Sequence, residues 1–142
     1  MEEKLFHNSL SWVAGFFDGE GSVGVYREKN NFFLQVEICN TQKGIMRALN
    51  SVYGGKLYCK QPRDYWRPCY QLRWRGTPAY NFLKLIQPEI RIKAQEIRLA
   101  LEFVDRFGGR GRFGAKTYQN QIKQKTGYVN KIKELKRKPR SV

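Results

Sequence analysis

Trp12-Val13-Ala14-Gly15-Phe16-Phe17-Asp18-Gly19-Glu20-Gly21 is the stretch on which the fold turns. Around it, apolar residues recur at 10, 13 and 17, with a second row at 12 and 16, so the spacing predicts a helix over 9–19. Asn8 or Ser9 can cap its start, and Gly19 with Gly21 ends it. Two features are unusual for a helix built only for stability. Gly15 and Gly19 stand four apart, each costing about 1 kcal/mol relative to alanine. Small residues at that spacing, with Ala14 beside them, let two helix backbones approach closely. Asp18 and Glu20 then place two carboxylates at the helix C-terminus, where carbonyl dipoles already make the potential negative. Lys or Arg would stabilise that end; gathered negative potential suits a hard divalent cation instead. On these residues alone, a glycine-ended helix with incidental acids stands level with a cation site.

Beyond the helix the period changes from 3.6 to 2. In 22–29, Val23 and Val25 share one face, while Ser22, Gly24, Tyr26 and Glu28 share the other. After the turn-like Lys29-Asn30-Asn31, residues 32–39 alternate again, with Phe32, Leu34, Val36 and Ile38 opposite Phe33, Gln35, Glu37 and Cys39. This is a β-hairpin with one apolar face and one largely polar face. The outline repeats with a short helix over about 42–52, ending at Gly54-Gly55, then strands over 56–60 and 69–75. Helices follow over 78–86 and, with Pro88 at the first-turn position, over 89–106. A weaker helical pattern covers 118–135. The expected fold class is therefore α+β, in the order α-β-β-α-β-β-α, with a four-stranded antiparallel sheet, helices on one face and a C-terminal helical extension.

The free face of that sheet would expose Tyr26, Glu28, Phe33, Gln35, Glu37, Lys56, Tyr58, Lys60, Gln71, Arg73 and Arg75. Long polar side chains of these types hydrogen-bond to base edges and phosphates, and a carboxylate can accept from a cytosine amine. An ordinary solvated sheet face is the plainer alternative.

Composition supports a polyanion partner. The 142 residues hold 27 Lys+Arg against 12 Asp+Glu, a net charge of +15. Residues 1–50 carry 5 basic and 6 acidic side chains, whereas 106–142 carry 12 and 1. Arg110 and Arg112 lie in a glycine-rich basic loop over 108–114, and the run from Lys136 to Arg140 reads as a frayed tail. Loop and tail would both gain from phosphate. With 14% aromatic and 41% hydrophobic residues, a disordered polycation is excluded. No apolar run approaches the roughly 20 residues of a membrane span. The acidic N-terminus resembles neither a secretory signal nor a transit peptide, so the expected location is intracellular, cytoplasmic in a prokaryote or within an organelle. Cys39, Cys59 and Cys69, without a Cys-x-x-Cys pair, read as reduced buried thiols. His7 is the single histidine, which leaves any catalysis to carboxylates, a lysine or a metal.

Val13-Ala14-Gly15-Phe16-Phe17-Asp18-Gly19-Glu20-Gly21 resembles the signature of the LAGLIDADG homing endonucleases position by position, with Glu at its second acidic place. The α-β-β-α-β-β-α order around it strengthens the resemblance, which covers roughly residues 8–107. Residues 80–95 hold no second copy of the motif, so the chain is similar to the single-motif members, which are homodimers. The resemblance implies a core domain over 1–107, with the basic loop and C-terminal helix of 108–142 packed on it.

The resemblance also implies a mechanism. The motif helices would pack together on a two-fold axis, with Ala14, Gly15, Asp18 and Gly21 as structural motif residues. Glu20 would bind Mg²⁺ with the Gly19 carbonyl beside it; Mn²⁺ would serve as well, and Ca²⁺ would bind without cleavage. Gln42 would help order the catalytic water, with a helix start capped by Thr41 as the equal alternative for this cluster. Lys93 would reach the same water network, or lie solvated on the surface. Met46 stands where some members carry a basic residue, with Arg47 next to it. The sheet would form a saddle along double-stranded DNA, and two-fold symmetry implies a long, roughly palindromic target. The expected activity is site-specific DNA cleavage by an intron-encoded or free-standing enzyme. Two alternatives remain: an intron RNA-splicing cofactor on the same fold, with the host intron RNA as partner, or a non-catalytic basic nucleic-acid-binding protein.

Overall fold

The computed structural model describes residues 9–61, 67–108 and 119–137. His7, Arg110 and Arg112 lie outside the described residues. Helix α1 (Leu10–Glu20) is capped by Ser9, whose Oγ accepts the Trp12 N–H at 3.4 Å. Strands β1 (Gly21–Glu28) and β2 (Asn31–Asn40) follow as a hairpin, turning through Lys29 at φ +57°. Helix α2 (Lys43–Tyr53) leads to β3 (Lys56–Lys60) and β4 (Cys69–Arg75). Helix α3 (Thr77–Ile86), a 3₁₀ turn (Gln87–Glu89), α4 (Ala94–Phe107) and α5 (Gln119–Arg137) complete the order. The four strands form one antiparallel sheet, as the alternation predicted, and their order is β1-β2-β4-β3.

Register explains why one face is apolar. Val23 pairs with Val36, Val25 with Leu34, Val36 with Trp74 and Ile38 with Leu72, so each row across the sheet presents branched or aromatic side chains together. All of these are buried, and Phe17, Phe82, Leu83, Ile97 and Phe103 from the helices pack over them. Trp74 stacks on Phe82 at 4.1 Å, and its indole N–H donates to the Tyr53 carbonyl at 3.0 Å. Each fully buried side chain of this size contributes about 1.5–3 kcal/mol. Helix α5 adds Tyr128, Val129 and Ile132 against α4 and β1.

In α1 the inward row is Val13, Ala14, Phe17 and Asp18. Ala14 therefore sits in the core, not beside the glycines on an open face; Ser11, Gly15 and Gly19 form the exposed row. Gly21 is required by close approach, because a Cβ there would lie 2.3 Å from the Phe17 ring.

Helix α4 starts at Ala94, five residues later than the sequence pattern suggests, and Pro88 belongs to the 3₁₀ turn. The cause is Asp18. Its Oδ2 accepts the backbone N–H groups of Arg91 at 2.7 Å and Ile92 at 3.1 Å, and its Oδ1 accepts that of Lys93 at 3.0 Å. Three donors that would otherwise lack partners near a helix start are satisfied by one carboxylate from α1. The C-terminal helix runs to Arg137, so Lys136 and Arg137 are helical residues and not a frayed tail; the rest of that run lies outside the described residues. The three cysteines are free, as expected, but none is fully buried: Cys39 and Cys69 are half-buried, and Cys59 is exposed.

Asp18→Ala should lower the unfolding free energy by about 2–4 kcal/mol, because it strands three backbone donors. Denaturant titration of both proteins measures this. A loss below about 0.5 kcal/mol would show that the segment 91–93 does not depend on the carboxylate.

Candidate nucleic-acid interface and acidic centre

One end of the sheet gathers the residues singled out in the motif. Gly21 at the start of β1 pairs with Ile38, and Asn40 at the end of β2 pairs with Tyr70, so the α1–β1 junction and the β2–α2 junction lie at the same end. Glu20 and Gly19 occupy the first junction and Gln42 the second. Lys93 is brought there by the Asp18 carboxylate, and its ammonium donates back to the Asp18 backbone carbonyl.

The two acids of the motif differ sharply. Asp18 is buried, at 6% exposure, and its carboxylate is consumed by the three backbone donors. Glu20 is exposed and makes no hydrogen bond or ion pair among the described residues. Gln42 is exposed at the start of α2, where the Asn40 Oδ1 accepts its backbone N–H at 2.8 Å. Thr41 does not cap this helix: α2 has Gln42 at its N-cap, with no side-chain cap bond. Met46 is fully buried in the core, whereas Arg47 is exposed, so Arg47 and Lys43 are the exposed basic side chains of this helix.

Among the described residues, no three His, Cys, Asp or Glu side chains form a group able to hold a metal ion. A single chain therefore offers one accessible carboxylate at the end of α1. That donor set fits Mg²⁺ only in company, since this ion is bound through one or two carboxylates plus waters and substrate phosphates.

The polar face of the sheet is an ordered network. Arg75 Nε donates to Gln35 Oε1 at 2.7 Å, and Gln35 Nε2 donates to Glu37 Oε2 at 3.4 Å. The same Glu37 oxygen accepts Arg73 Nε at 3.1 Å, and Arg73 Nη2 donates to Gln71 Oε1 at 3.3 Å. Arg75 lies over the Phe33 ring at 4.7 Å, and Arg73 over the Tyr58 ring at 5.3 Å. Tyr26 folds over Gly24, where a Cβ would come within 2.8 Å of its ring. The part-exposed Arg73–Glu37 pair adds little stability, about 0–1 kcal/mol, but it fixes where both groups point.

Most of the expected face residues are accessible, namely Tyr26, Glu28, Phe33, Gln35, Glu37, Lys56, Tyr58, Lys60, Arg73 and Arg75. Gln71 is the exception, buried at 5% exposure. It sits on a central strand between Cys39 and Tyr58 and holds Arg73, so it supports the face instead of presenting to solvent. A cavity of about 440 Å³ borders the β3–β4 end, lined by Lys56, Tyr58, Arg73 and Arg75 among others. Sequence periodicity missed the role of the 91–93 backbone and the reach of Lys136, because neither leaves a local pattern.

No protein-family profile matches the chain, and no curated protein matches it. Solved structures do. The homing endonuclease I-CvuI, in complex with the I-CreI target in 2 mM Mg with DNA not cleaved, is 16% identical, with a TM-score of 0.70 over 99% of this chain and 88% of its own. The archaeal intron-encoded homing endonuclease I-Vdi141I, complexed with DNA, is 15% identical, with a TM-score of 0.73 over 92% of this chain and 86% of its own. The LAGLIDADG meganuclease I-AabMI, bound to uncleaved DNA, is 13% identical, with a TM-score of 0.65 over 85% of this chain but only 43% of its own. The chain thus has the α+β fold of the LAGLIDADG homing endonucleases, with its one motif on helix α1.

Proposed function

We propose that this chain is one subunit of a homodimeric, Mg²⁺-dependent endonuclease that cuts double-stranded DNA at a long, roughly palindromic site. The observation that carries the reading is Glu20: a solvent-exposed carboxylate without a partner among the described residues, at the end of a helix whose other acid is structurally committed. A protein that only binds nucleic acid gains nothing from a free carboxylate at that end of a basic saddle. This feature favours cleavage over the non-catalytic alternative.

The exposed row Ser11, Gly15 and Gly19 supports a two-fold helix contact. A Cβ at Gly15 or Gly19 would meet no atom of the described chain within 4 Å, so neither glycine is needed for the subunit's own packing. Trp12 and Phe16 stack at 5.1 Å, half-buried, and Leu10 is exposed, which adds apolar surface along the helix. The chain matches nearly all of I-CvuI but under half of I-AabMI, which fits a subunit that must pair to complete a site.

In this reading Glu20, with the Gly19 carbonyl, would hold Mg²⁺ between protein and a scissile phosphate. When bound, the ion stabilises the attacking and leaving oxygens of an in-line displacement. The chain's own residues do the rest. Lys93, tethered to the Asp18 carbonyl, is held at the helix end facing the phosphate; Gln42 orients water from the α2 start; Arg73 and Arg75 meet the duplex from the saddle. The sheet face would lie along the major groove, where Arg reads guanine and Glu accepts from cytosine. Arg110 and Arg112 would add backbone contacts.

Two tests follow. Glu20→Gln should bind a target duplex as the wild type does but show no cleavage in Mg²⁺; a Gln variant that still cuts contradicts the mechanism. Gly15→Leu should fold with unchanged or higher stability, since the site is open in the subunit and glycine is the poorer helix former by about 1 kcal/mol. Its self-association, read by light scattering, should collapse from twice 16.8 kDa to the single chain mass. A Gly15→Leu protein that remains dimeric would place the two-fold contact elsewhere.

A further inference from the structure

A lysine from the basic C-terminal run reaches the same end of the sheet. Lys136 stands in the last turn of α5, four residues after the buried Ile132, and is itself exposed at the edge of that helix's packed face. Its Nζ donates to Ser22 Oγ at 3.3 Å. Ser22 lies two residues beyond Glu20 and pairs with Glu37 across the hairpin. Strand alternation places its side chain with Glu37, Arg73 and Lys56 in one row of the polar face.

Two acidic and two basic groups lie around this ammonium. Glu96 and Glu37 favour its charged form, whereas Lys93 and Lys133 oppose it. Burial is the largest influence and pulls its pKa below the usual lysine range. Its one hydrogen-bond acceptor among the described residues is a neutral hydroxyl. A lysine ammonium carries three donors, so two remain for another acceptor. An exposed cation with spare donors, seated on Ser22 two residues along the chain from Glu20, is suited to a phosphate oxygen.

We propose that Lys136 contacts a DNA backbone phosphate beside Glu20, which makes the C-terminal helix part of the cleavage site. The proposal rests on the endonuclease reading and extends it to an element outside the motif-bearing core. In a dimer each subunit would contribute one such contact, close to its own Glu20. Ser22 would act as the resting partner that holds the ammonium in place before DNA arrives.

The test compares wild type, Lys136→Met and Lys136→Arg on a duplex selected by the wild type. Affinity is measured against salt in Ca²⁺, single-turnover cleavage in Mg²⁺, and melting temperature without DNA. Lys136→Met should lower the salt slope by about one per subunit and slow cleavage by about tenfold or more. Lys136→Arg should keep the slope and most of the rate, and all three proteins should melt within about 2 °C of one another. A Met variant with unchanged slope and rate overturns the contact. So does one that melts lower but keeps the wild-type slope, because Lys136 would then be a structural tether. If the wild type neither binds nor cuts any duplex, the endonuclease reading itself fails and takes this contact with it.

Discussion

The structure depends on one carboxylate. Asp18 joins the end of α1 to the start of α4 through three backbone hydrogen bonds that span more than 70 residues of sequence. A buried carboxylate without such donors would be prohibitively costly, and the segment 91–93 without this carboxylate would lose the acceptor of three backbone N–H groups. The two needs are met by each other. As a consequence, the polypeptide at Gly19–Gly21 is held against α4, Lys93 is returned to the same spot, and Glu20 is left facing solvent. A pair of acids that look alike in sequence thus divides into one that holds the fold and one that is available for chemistry.

Much of this was legible in the residues. Period-two alternation in 22–39, 56–60 and 69–75 gave the strands nearly to the residue, because β1, β2 and β4 each have one face sealed by helices and one wet, while the edge strand β3 alternates without burying a residue. The apolar partners along a row then follow from register. What alternation could not tell is how neighbours on the wet face cover one another. Gln71 alternates correctly yet is buried, since Arg73 and Tyr58 close over a central strand.

The misreadings have a common physical origin. Pro88 is a sound helix-start signal, but a contact from a residue 73 positions away delays α4 until Ala94. Ala14 looked like part of a small-residue face, but a helix of this length turns it towards the core while Gly15 and Gly19 face out. Lys136 looked like the start of a frayed tail, but the packed row Tyr128, Val129 and Ile132 keeps its segment helical and brings the exposed ammonium to Ser22. Each error comes from judging a residue by its local window when a long-range contact decides its place. The charge asymmetry has the same lesson: the basic C-terminal segment is not remote from the acidic motif, because α5 folds back along β1.

In the proposed dimer, Glu20, presented twice across a two-fold axis on a basic saddle, would cut DNA at a symmetric site. The most direct measurement is selection of cleaved sequences by the wild-type protein from a randomised duplex library in Mg²⁺. The account predicts recovery of one long consensus whose halves are related by two-fold symmetry, with cuts on both strands near its centre. Recovery of no cleaved duplex, or of a short asymmetric site cut on one strand, would contradict it.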